Sequence, residues 1–202
     1  MMPPAENVHW LFAAAILLFG LCLLARALVG EAIWNRSTWR RYMLPTVLFG
    51  IGVAMWPVAV FFTNSAIHMV AHATWAQFAM LAGIAQLGLA AGRLSSRWWN
   101  LTVPVAIAVS GSAFVVHEQN PWFFMRSAFL HHLIGWTLIV GALLPLALVF
   151  RPRSTLLASG FAILTIAIAA MLFADRDYAP IFGRLSPLAG VPADAGTPQA
   201  EP

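Results

Sequence analysis

Six long apolar runs separated by short loops constrain this chain more than any other feature. They cover roughly residues 9–29, 43–63, 66–91, 101–116, 128–150 and 155–174. A helix needs about 20 mostly apolar residues to cross a bilayer. Within lipid, every backbone N–H and C=O must find its partner inside the protein, so continuous apolarity at this length predicts helices rather than strands. The expectation is all-α: an integral membrane bundle of about six transmembrane helices. Residues 1–185 would form a single transmembrane domain. The Pro- and Ala-rich stretch 186–202 reads as a disordered tail.

Composition agrees with this reading. The chain is 61% hydrophobic and 9% charged, whereas an ordinary soluble domain is about 45–50% apolar and about 25% charged. A length of 202 residues allows about five to seven spans and no second sizeable soluble domain. The net charge of +4 comes from eleven arginines and no lysine. The arginines sit in short clusters between apolar runs, which is the pattern of membrane loops and not of a nucleic-acid partner. The single cysteine, Cys22, lies inside an apolar run, and no CxxC is present. A metal site would therefore draw on His, Met, carboxylate or backbone ligands.

Loop charges set the expected orientation. Arg36, Arg40 and Arg41, then Arg93 and Arg97, then Arg151 and Arg153 fall in alternate loops. The positive-inside rule places these loops in the cytoplasm and both termini outside. Trp34, Trp39, Trp98 and Trp99 would form the inner aromatic belt, with Trp10 and Trp122 at the outer interface. Arg26, about a turn before the inner end of the first helix, could snorkel to the headgroups. The first eight residues carry only Glu6, unlike the positive start of a cleavable signal, so the first run is expected to be a retained helix. The fourth run is the shortest. Its Ser110, Gly111 and Ser112 would either admit a close neighbour or break the helix.

In this topology all six histidines fall at or near the outer side. His9 stands at the rim of the first helix, and His117 closes the fourth. His68 and His72 are spaced i, i+4 and share one face of the third helix, the spacing at which one helix can offer two imidazoles to one ion. His131 and His132 are neighbours about 100° apart, so one of them faces any common centre. Ionisable groups inside spans are rare and usually functional. The expected metal set is His68, His72 and His132, completed by His117 or Met69. His9 is expected to stand alone, and His131 to face elsewhere or support the ligands. Met125 lies at a similar depth. Glu118, Asp175 and Asp177 read first as solvated loop charges, with orientation of imidazoles through the second ring nitrogen, or pairing with Arg126 and Arg176, as the alternatives. Imidazole and thioether without thiolate suit copper. Two His on different helices, with Gly135 and Gly141 making room, could instead bind haem b.

The stretch FTNSAIHMVAH, residues 62–72, resembles a motif of the CtaG family of cytochrome c oxidase assembly factors of the caa3 type, which carry His-Met-x-x-His at the outer start of a membrane helix. The later stretch from Val116 is similar to a second region of that family, with His117, Pro121, His132, Gly141 and Pro145 at the matching positions. Ala128 stands where that family has an earlier His. A weaker resemblance is to CopD-type copper membrane proteins. The resemblance spans about residues 45–150 and implies copper handling on the outer face of a bacterial inner membrane, toward a respiratory oxidase subunit or another membrane complex. It implies no catalysis, and the chain carries no nucleotide loop, Ser-centred elbow or HExxH motif. The alternatives are a haem b membrane cytochrome and a structural subunit of a larger membrane complex.

Overall fold

The computed structural model describes residues 5–61, 66–116 and 125–175, with side chains placed over 7–61, 66–116 and 129–175. These residues form α1 (Ala5–Val29), α2 (Glu31–Trp34), α3 (Thr38–Phe61), α4 (Ala66–Ala90), a 3₁₀ turn (Arg97–Leu101), α5 (Thr102–Val116), α6 (Met125–Gly141), α7 (Leu143–Phe150) and α8 (Thr155–Ala174), with no strand among the described residues. Six stretches are long and apolar enough to cross a membrane: Asn7–Val29, Thr38–Phe61, Ala66–Ala90, Arg97–Val116, Phe129–Phe150 and Thr155–Ala174. The protein is an all-α membrane bundle in contact with the lipid bilayer. Leu11, Leu18, Trp136, Val140 and Leu156 point outward, as expected where lipid and not water covers the surface.

Boundaries follow local chemistry. Gly30, at φ 83°, ends the first span in the left-handed region that a side chain disfavours. Ser96 opens the 3₁₀ turn and Ser154 opens α8, each accepting a backbone N–H with its hydroxyl. Pro45 and Pro57 lie inside α3 without breaking it. The fifth span changes helix at Ala142, three residues before Pro145.

Adjacent helices pack through small residues. A Cβ on Gly83 would lie 2.6 Å from the Phe49 backbone, so α3 and α4 touch main chain to main chain. A Cβ on Gly111 would meet the Gly135 carbonyl at 2.6 Å, and one on Gly135 the Gly111 carbonyl at 2.8 Å, which seats α5 against α6. Helix α5 runs unbroken from Thr102 to Val116, and Gly111 is the seam against α6. The first and last spans, α1 and α8, form the most extensive contact between elements distant in sequence. That pairing brings the start of α1 beside the end of α8.

The arginine-rich end is organised by its own side chains. Arg26 pairs with Glu31 at 2.6 Å, the Trp34 indole donates to the Arg40 carbonyl at 2.9 Å, and the Arg97 guanidinium lies over Trp98. Trp39, Trp98 and Trp99 are exposed there, as an interfacial belt requires. Arg26 is thus held by a carboxylate on the next helix. Residues 186–202 lie outside the described residues.

Candidate metal centre

The end opposite the arginines gathers side chains from α1, α4, α6 and α8. His9, in the second turn of α1, places Nδ1 3.2 Å from Oδ2 of Asp175. His131, in the second turn of α6, places Nδ1 3.4 Å from the same oxygen. The two imidazole rings meet edge to face, 5.6 Å between centroids. His131 is 2% exposed and Asp175 is fully buried. The three ligand atoms lie within 4.8 Å of one another.

Asp175 caps the C-terminus of α8. A carboxylate there faces the negative end of the helix dipole, and burial removes the water that would stabilise it. If ionised, it needs a positive partner. Among the described residues its ionic contacts are His9 and His131, and neither of its oxygens accepts an aligned hydrogen bond.

The His68–His72 pair sits on the first two turns of α4. Its rings stack at 4.7 Å with 20° between planes, as i, i+4 geometry allows. Nδ1 of His72 lies 2.8 Å from the His68 carbonyl oxygen. A carbonyl only accepts, so this nitrogen carries the proton and donates, which leaves the lone pair on Nε2. Backbone-fixed tautomers of this kind orient metal-binding imidazoles. A run of ring contacts joins the two groups: His72 to Trp75 at 6.5 Å, Trp75 to Phe114 at 5.3 Å, and Phe114 to His131 at 5.3 Å.

The expected ligands divide as follows. His68 and His72 are together, and Met69 is half-buried beside them. His132 is exposed, while its neighbour His131 turns into the bundle. His117, Glu118 and Asp177 lie outside the described residues, and the side chain of Met125 is not among those placed. His9, read from sequence as solitary, meets His131 and Asp175. Asp175, read as a solvated loop charge, is buried. The sequence mark of His131's inward face is the small Gly135 at i+4, where His132 is followed at i+4 by the bulky Trp136; in the structure Ile134 and Gly135 are buried and Trp136 points outward.

Below this cluster the interior turns apolar. A cavity of about 100 Å³ is walled by Trp75, Phe114, Leu138, Leu164 and Leu172, among others. Its two hydroxyls are turned onto their own helices, Ser110 to the Ala106 carbonyl at 2.7 Å and Thr165 to the Phe161 carbonyl at 2.8 Å. The space beside Gly135 is filled by Val115 and the Gly111 carbonyl, and that beside Gly141 by Leu164.

Fold and site together define a multi-pass membrane protein with a cluster of imidazoles and one buried carboxylate at one end. In comparison with known proteins, no family model, no curated protein and no solved structure matches the chain.

Proposed function

We propose that the chain binds copper at its histidine-rich end and serves copper trafficking or the assembly of a copper enzyme without itself catalysing a reaction. Cytochrome c oxidase is the recipient that the resemblance of residues 62–72 to the CtaG family implies. The positive-inside rule puts the copper end on the outer face, in this reading that of a bacterial inner membrane. One observation carries the proposal: two imidazole pairs, His68–His72 and His9–His131, stand where three spans begin and are joined by the ring contacts of Trp75 and Phe114. Polar groups at membrane depth are costly unless they share a partner. His68, Met69 and His72 offer imidazole and thioether from one helix face, a donor set suited to copper.

Two further observations favour holding an ion over passing it through or binding haem. The polar cluster ends on an apolar floor whose hydroxyls are bound to their own helices. The clefts at Gly135 and Gly141, which a haem would use, are taken by side chains of α5 and α8 and by the α5 backbone. The test is copper loading of the purified, membrane-embedded chain, followed by elemental analysis and a visible spectrum. The proposal expects bound copper, a large loss of it in His68→Ala/His72→Ala, and no Soret band. A Soret band, or a loaded chain free of copper, would overturn it.

A further inference from the structure

Asp175 is a buried carboxylate at a helix C-terminus, approached by two imidazole nitrogens at distances that are not aligned hydrogen bonds. A proton on either ring could neutralise the carboxylate, but a shared proton demands an N–H pointing at the accepting oxygen. Here the Nδ1 atoms of both rings converge on one oxygen, Oδ2, and neither Asp175 oxygen accepts an aligned hydrogen bond. Ligands bound to one tetrahedral ion at about 2.0–2.1 Å stand about 3.3 Å apart. The observed separations from Oδ2 are 3.2 and 3.4 Å, and all three donors fall within 4.8 Å.

We infer that His9, His131 and Asp175 form a second metal site, separate from the His68–His72 pair, that takes a divalent transition-metal ion of the Zn²⁺ or Cu²⁺ class. Two neutral imidazoles and a carboxylate are borderline to hard donors, so the site selects a divalent ion over soft Cu⁺. The divalent charge answers the buried carboxylate and the dipole of α8 in one step. The ligands come from α1, α6 and α8, so the ion ties the first span to the fifth and the last. The site shares His9 and His131 with the copper-binding end proposed above, but Asp175 and the preference for a divalent ion set it apart, and Co²⁺ binding in the His68→Ala/His72→Ala background tests it separately.

The test uses Co²⁺ as a spectroscopic probe, with the full chain reconstituted in nanodiscs. The wild type and His68→Ala/His72→Ala are both expected to bind one Co²⁺ with the intense visible bands of a four-coordinate ion. In Asp175→Asn and in His9→Ala the affinity should fall by more than the about 10–100-fold that loss of an outer-shell partner costs. Cu²⁺ bound to the unmutated site in the His68→Ala/His72→Ala background should show electron paramagnetic coupling to two imidazole nitrogens, a readout that needs no substitution at the site. Co²⁺ retained at unchanged affinity in both site variants would overturn the inference. So would a wild type that binds no Co²⁺, in which case the three residues form an ion pair around one proton. Loss of Co²⁺ in His68→Ala/His72→Ala with no effect of Asp175→Asn would move the site to α4. Copper failing to bind at the His68–His72 pair, while Co²⁺ and Cu²⁺ bind here as described, would sink the copper function and leave this site standing.

Discussion

Nδ1 of His131 lies 3.4 Å from Oδ2 of Asp175, joining the second turn of α6 to the end of α8. His9 reaches the same oxygen from α1 at 3.2 Å. The first, fifth and last spans thus meet at a carboxylate with no access to solvent.

A metal ion held there should stabilise the folded bundle. An ion that binds only the native state, at a free concentration about 100 times its Kd, contributes about 2.7 kcal/mol. Zn²⁺ should raise the unfolding temperature of the wild type in detergent, and a chelator should reverse the rise. The shift should vanish in Asp175→Asn. An equal shift in that variant would mean that the ion acts elsewhere.

Adjacent histidines should behave differently. His132 faces outward and His131 is buried. Replacing His131 with Ala is expected to reduce Co²⁺ binding strongly, whereas His132→Ala should leave it within about two-fold, the ordinary context scatter for a residue that touches no ligand. Equilibrium dialysis of the two variants side by side makes the comparison.

Glycine positions should separate packing from propensity. Gly83→Ala drives a Cβ to 2.6 Å from the Phe49 backbone, where nothing can yield without moving a helix. A cost of about 1–3 kcal/mol is expected from overpacking. Gly50→Ala meets nothing within 4 Å and should be neutral or slightly stabilising. Unfolding in mixed micelles should order the two variants accordingly.

Orientation is open to reporter fusions. Fusions at Ser37, Ser95 and Ser154 should report the cytoplasm, and fusions after Asn64 and Gln119 the outer side. A cytoplasmic report after Gln119 would break the alternation on which the outer placement of the histidines rests.

The spans were legible because length and apolarity are local quantities. Each predicted run lies within a few residues of its helix. The chief difference is α3, which starts at Thr38 and so takes Arg40 and Arg41 into its first turn, because a helix can extend past the apolar core into the headgroups. The His68–His72 pair was also legible, since i, i+4 proximity follows from one helix alone. The Asp175 site was not. Asp175 stands in the run Asp-Arg-Asp, which reads as a charged loop, and its burial depends on α1 lying against α8. His131 could have been separated from His132 by the small Gly135 on its face. In a membrane helix the inward face is no more apolar than the outward one, so hydrophobicity gave no such signal.

Copper stoichiometry in the reconstituted chain decides whether its histidine-rich end is a copper site. Wild type and a His9→Ala/His68→Ala/His72→Ala/His131→Ala variant would be loaded under identical conditions, freed of loose metal, and measured by elemental analysis alongside a visible spectrum. The account predicts at least one copper per wild-type chain, none retained by the variant, and no Soret band in either. A wild type without copper, equal copper in both proteins, or a Soret band would contradict it.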